Sequence, residues 1–210
     1  MAINAYSSLE LPVAPTLFFE FHGLSETSTD EQSALVQEIA GDLGASGWAA
    51  ASGQDEMDKL WAARHSAYYA SLRHRGPNTI GTSTDVCVPI SELADSIART
   101  SADLEAKGLF APIFGHVGDG NYHVILSQNP SDPPSHRDTL KAVTDGMLER
   151  ALAVGGTCTG EHGVGRGKMA WLEKEAGPAA IGLMQSIKRS LDPQGIMNPG
   201  KVLRGDCAPP

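Results

Sequence analysis

Two histidines, His116 and His123, bracket the segment "HVGDGNYH", and a Glu-His pair, Glu161 and His162, sits inside the glycine-rich stretch "CTGEHGVGRGK". Imidazole is the commonest metal-binding side chain. Two imidazoles and one carboxylate around a divalent ion leave coordination positions open for a substrate. Asp119–Gly120 reads as a two-residue type I′ turn, because glycine accepts positive φ and aspartate tolerates it. That turn predicts His116 directly opposite His123 on one face of a hairpin, with Cβ atoms about 4.5–5.5 Å apart. A histidine pair that only packs or hydrogen-bonds fits the spacing equally well. Glu161 would complete the ligand set. On an extended backbone the adjacent His162 points elsewhere and is available as a general base, since imidazole titrates near neutral pH. A solvated Glu-His pair in a flexible loop is the competing reading.

Two further residues qualify. Arg64 lies in "LWAARHSAYYASLR" among apolar neighbours, where a guanidinium fork would suit a substrate carboxylate and equally a surface ion pair. Asp85, in a β-branched stretch, reads as an ordinary sheet ion pair or cap. The glycines before Lys168 do not make a phosphate loop. His162 stands where that motif needs glycine, and Met169 replaces its Ser/Thr. They also fail the dinucleotide fingerprint, whose third glycine is here Lys168.

The elements that must position these groups follow from periodicity. Residues 16–23, 47–52 and 79–89 are rich in β-formers and are expected strands, and 110–127 an expected hairpin. Between them lie expected helices. The first has a capping box at Thr29 and Gln32 with a stripe of Leu35, Val36, Ile39 and Leu43. The second spans 55–73. The third is capped by Ser91 with Leu93, Ile97 and Leu104 inward. A fourth covers 138–154, and one or two more end at Leu191. Few strands with helices between them predict an α+β fold, an antiparallel sheet covered by helices with additional C-terminal helices.

The 210 residues suffice for one large domain or two small ones. Apolar residues make up 41% and charged residues 20%, and the net charge is −9. No Lys/Arg block occurs, so a nucleic-acid surface is excluded, and an anionic membrane would repel the chain. Cys87, Cys158 and Cys207 are too few and too scattered for a disulfide framework and fit a reducing compartment, or thiols used as small apolar residues. No apolar run reaches transmembrane length. Residues 1–15 have no signal-peptide pattern and read as a linker, which leads to a cytoplasmic expectation, with peripheral membrane association open.

Six ordered motifs, "APTLFFEFHG", "LWAARHSAYYA", "STDVCVPIS", "FGHVGDGNYHVIL", "GGTCTGEHGVGRGK" and "LDPQGIMNPGKVL", together resemble the C-terminal part of FAD-linked oxidases of the vanillyl-alcohol-oxidase type. Within that group the likeness is to D-lactate dehydrogenases (cytochrome) and glycolate oxidase FAD subunits. The resemblance implies a ferredoxin-like cap domain over residues 16–210. It implies oxidation of a D-2-hydroxy acid such as D-lactate or glycolate, with hydride passing to FAD. It further implies a divalent ion (Zn, Mn or Fe) on His116, His123 and Glu161, His162 as base, Arg64 as carboxylate clamp and Asn198 near the flavin. An electron acceptor (cytochrome, quinone or flavoprotein) and a homodimer belong to the same expectation.

Two departures qualify it. Relatives that oxidise five-carbon diacids carry Lys two residues before Asp85, whereas Ser83 stands here, so the pocket looks built for a monocarboxylate. The resemblance implies an N-terminal FAD-binding domain in cis, for which the residues before 16 are too few, so these 210 residues in isolation are expected to be inactive. A stand-alone divalent-metal hydrolase and a non-catalytic interaction module remain as alternatives.

Overall fold

The computed structural model describes residues 2–6, 11–51 and 53–205. The chain divides into two compact units, Met1–Ala70 and Ser71–Pro210.

The first unit holds α1 (Ala2–Tyr6), α2 (Glu26–Asp42) and α3 (Gln54–His65). Helix α2 starts a turn earlier than the sequence suggests. The Ser25 hydroxyl accepts from the Ser28 amide at 3.2 Å, while the Thr29 hydroxyl donates to the Glu26 carbonyl. None of the α2 residues is buried, and Leu35, Ile39 and Leu43 are exposed. The expected strands at 16–23 and 47–52 are not strands: 16–23 and the described residues 47–51 lie outside regular structure. Their β-forming residues meet each other through rings instead, Phe19 stacking on Trp48 at 6.3 Å and on Phe21 at 6.2 Å. Strand propensity expresses fit to a pleated, half-buried surface, and no described strand offers these segments a ladder. The expected single helix over 55–73 ends at Ser66, and α4 (Ala67–Arg75) follows it.

The second unit is built on one strand. β4 (Asn121–Gln128) pairs antiparallel with β1 (Ile80–Ser83), β2 (Val86–Cys87) and β3 (Ile113–His116). β1 and β2 share one register against β4, with Ser83 opposite Ile125 and Val86 opposite Tyr122, so they form a single line interrupted at Thr84 and Asp85. Tyr122, Val124 and Leu126 alternate along β4 and face a core of Leu93 and Leu104 from α5 (Ile90–Ala106), with Leu140, Val143, Met147, Leu148 and Ala151 from α6 (His136–Ala153). Each fully buried aliphatic chain here contributes about 1.5–3 kcal/mol by transfer alone. Tyr122 brings a polar atom into that layer and satisfies it, its hydroxyl lying 2.8 Å from Ser96 Oγ and 3.1 Å from Thr100 Oγ1. Helix α5 begins at Ile90 on Pro89, so Ser91 is inside the helix and not its cap. The last helix, α7 (Met169–Leu191), is broken at Gly177, whose φ of 75° precedes Pro178. The fold is therefore mixed α/β with an antiparallel sheet covered by helices.

Candidate metal centre

β3 and β4 are not joined by a two-residue turn. Val117–Asp119 forms a 3₁₀ turn that Gly120 closes at φ 73°. A side chain at Gly120 would overlap the Val88 carbonyl, so the position admits only glycine in both conformation and space. Because the turn takes two more residues, His116 pairs with Asn121, and His123 pairs with Phe114. The expected direct opposition of the two histidines is thus incorrect. Their shared face survives, since side chains alternate with a period of two and the register differs by two. The imidazole centroids are 6.1 Å apart.

The interruption between β1 and β2 fixes the His123 ring. The Val124 amide donates to the Thr84 hydroxyl at 2.8 Å. The Thr84 carbonyl then accepts from His123 Nδ1 at 2.8 Å. A carbonyl only accepts, so Nδ1 carries the proton, which leaves Nε2 as the ring atom that faces the cluster. His123 is almost wholly buried, and its Nε2 lies 3.0 Å from Glu161 Oε1. Glu161 Oε2 lies 4.0 Å from His116 Nε2, and both of these side chains are about half exposed. One ligand atom from each of the three residues falls within 4.8 Å of the others.

This donor set fits a divalent ion. Two ligand atoms each ~2.1 Å from one ion at a right angle stand ~3.0 Å apart, which matches the His123–Glu161 pair. His116 must swing in by about an ångström, and its side chain is about half exposed.

His162 does not point away from this cluster, as an extended backbone would require. Its ring stacks on His123 with centroids 4.9 Å apart and planes 11° apart. Its Nε2 lies 3.3 Å from the same Glu161 Oε1. Four candidate residues are therefore brought together: His116, His123, Glu161 and His162. Arg64 belongs to the first unit, half-buried near the end of α3. Asn198 is exposed in the C-terminal turn at φ 48°, with Lys201 Nζ donating to its Oδ1 at 3.1 Å. Cys87 and Cys158 are free thiols, and Cys207 lies outside the described residues.

Asp85, read from sequence as an ion pair or cap, does pair with Lys168 but does more than that. It is buried, and its carboxylate accepts from Thr159 Oγ1 at 2.6 Å, Asn121 Nδ2 at 2.8 Å, the His162 amide at 3.0 Å and the Glu161 amide at 3.2 Å. Lys168 Nζ donates to the Asp85 carbonyl at 2.7 Å and to Oδ2 at 3.2 Å. Burial alone would raise this carboxyl. The hydrogen bonds from Thr159, Asn121 and the His162 amide, with the Lys168 ammonium, outweigh it and hold the group well below the usual carboxylate range. The only signal in sequence was a lone acid in a β-branched run. The glycine-rich stretch is anchored on its other side by an antiparallel bridge between Thr157 and Cys87 and by Glu175 of α7, whose Oε2 accepts from the Cys158 amide at 2.8 Å.

The family model for FAD linked oxidases, C-terminal domain, matches residues 1–202. A zebrafish (Danio rerio) protein named probable D-lactate dehydrogenase, mitochondrial, is 48% identical over 202 residues, covering 96% of this chain and 40% of that protein. An Arabidopsis thaliana D-lactate dehydrogenase (cytochrome), mitochondrial, is 42% identical over 202 residues, covering 96% and 35%. The Bacillus subtilis (strain 168) glycolate oxidase subunit GlcD is 32% identical over 210 residues, covering 99% and 43%. The chain thus spans about two fifths of the length of these relatives. Among the described residues no helix is long and apolar enough to cross a membrane.

Proposed function

This chain belongs to the family of FAD linked oxidase C-terminal domains, and from that premise we propose that it is the substrate- and metal-binding part of an FAD-dependent D-2-hydroxy-acid dehydrogenase. The observation that carries the reading is the convergence of His116, His123 and Glu161, from β3, β4 and the loop before α7, at ligand-sharing distance. FAD, the cofactor for which the family is named, supplies the hydride acceptor. A divalent ion on the three ligands supplies Lewis acidity toward the substrate 2-hydroxyl.

The chain's own residues supply the rest. His123 is held in one tautomer by the Thr84 carbonyl and keeps its Nε2 directed at the centre. His162, stacked on it and half exposed, takes the proton from the 2-hydroxyl through Nε2. Arg64 is assigned to the substrate carboxylate because a planar fork binds a carboxylate through two parallel bonds. The family motif around it supports that role. Asn198 is assigned to the flavin on the same footing. Ser83, where a lysine would suit a second carboxylate, favours a monocarboxylate such as D-lactate or glycolate. The electron acceptor follows the relatives named for cytochrome, and a homodimer remains part of the proposal. The cytoplasmic expectation draws no support from the relatives, two of which are named as mitochondrial.

The test is anaerobic flavin bleaching in the FAD-loaded enzyme that contains this domain. D-lactate or glycolate should bleach the flavin far faster than D-2-hydroxyglutarate, and removal of divalent ions by chelation should slow it. Equal rates with the diacid would overturn the substrate assignment, and indifference to chelation would overturn the metal.

A further inference from the structure

Asp85 presents a cost without an evident return for the fold. A charge in the interior is expensive, and replacing a buried ion pair by apolar side chains is often neutral or stabilising. The position belongs to neither strand but to the interruption between β1 and β2. What the carboxylate does gain is a set of partners drawn mostly from one stretch of chain. Thr159, Glu161, His162 and Lys168 all donate to it, and Asn121 of β4 completes the set. Lys168 bonds both the carbonyl and the carboxylate of Asp85, so the far end of the glycine-rich loop closes on the same residue as its middle. The bonds to Glu161 and His162 go to backbone amides, which leaves both side chains available to the centre.

We propose that Asp85, held by Lys168, is the positioning residue of the centre, fixing the Glu161–His162 peptide against the sheet and so deciding where the Glu161 carboxylate meets His116 and His123. The inference rests on the metal-ligand reading above and extends it to two residues that act through the ligands' backbone. Groups hydrogen-bonded directly to a ligand typically change metal affinity or activity by 10–100-fold when lost, and Asp85 acts one step further back, through the Glu161 backbone amide.

The experiment uses this chain, Mn²⁺ as the probe and free Mn²⁺ measured by paramagnetic resonance. Manganese suits an N/O donor set and is drawn little to the thiols. Asp85→Asn should weaken Mn²⁺ binding about 10–100-fold at a temperature far below its unfolding midpoint. Thr159→Val, which removes one neutral donor, should weaken it less and decides the matter if Asp85→Asn does not fold. Hydrogen exchange gives a second, metal-independent reading. The Glu161 and His162 amides should exchange about tenfold faster or more in the variants, while Val124 and Ile125 of β4 keep their protection. Unchanged affinity and unchanged exchange in a folded variant would overturn the proposal. So would loss of protection spread evenly through β4, which is what a merely structural role produces. If the unaltered chain binds no Mn²⁺, the ligand reading fails, and the exchange pattern alone still decides whether Asp85 orders the peptide.

Discussion

His123 and His162 lie ring on ring, 4.9 Å apart, with both Nε2 atoms within 3.3 Å of one oxygen of Glu161. One imidazole is buried and tethered through Nδ1, and the other is half exposed. The proposed function gives the two rings different jobs despite their shared proximity to one carboxylate oxygen, and variants test that division. His123→Asn should abolish stoichiometric metal in elemental analysis. His162→Asn should retain the metal but lower kcat of the FAD-loaded enzyme by roughly 10²–10⁴-fold, the span of general acid–base catalysis. Loss of metal in the second variant would make His162 a ligand instead.

Arg64→Lys keeps the charge and discards the fork. In the FAD-loaded enzyme it should raise KM for D-lactate, with a smaller fall in kcat from misorientation. Steady-state kinetics across substrate concentration checks it, and an unchanged KM would remove Arg64 from the site.

Tyr122→Phe should destabilise the second unit without touching the centre. The substitution leaves Ser96 and Thr100, both buried, each short of a partner. The expected cost is about 1–2 kcal/mol, or about 2–8 °C in the midpoint for a chain of this size. Thermal unfolding followed by circular dichroism measures it, and Mn²⁺ affinity should stay as it was.

Cys158 carries a pH signature. Burial pushes its thiol up from 9.0 to about 12, with the hydrogen bond and charge of Glu175 adding to the effect. A group whose folded value is raised stabilises fully below its unfolded value. Its contribution should therefore be intact at pH 8 and fall away between about 9 and 12. Cys158→Ala should flatten the loss of stability over that window in denaturant titrations. At pH 8 the native thiol should also resist iodoacetamide, because thiolate is the reactive form.

The fold class and the gathering of His116, His123, Glu161 and His162 were legible in the sequence, while several element bounds were not, and for a physical reason. The histidine face depends only on the parity of the β3–β4 register, so a wrong turn type left it intact. Residues 16–23 and 47–52 misled because composition reports what a strand would like to bury, and pairing depends on what lies beside it. Ser91 and Thr29 are good cap residues that lie two and four positions after Pro89 and Ser25, the residues that cap their helices instead. Asp85 was invisible as an anchor because four of its donors lie 74 to 83 residues downstream, beyond the reach of any local pattern.

Gly160 passes so close to the Asn121 amide that a methyl group there would overlap it, with the Asp85 carboxylate next in line. Its backbone sits in an ordinary conformation, so the demand is for room alone. A single hydrogen atom is all there is to replace: Gly160→Ala would act as a wedge, prising the peptide that follows it off Asp85 with His116, His123, Glu161 and His162 all still in the gene and the helices behind the sheet still packed.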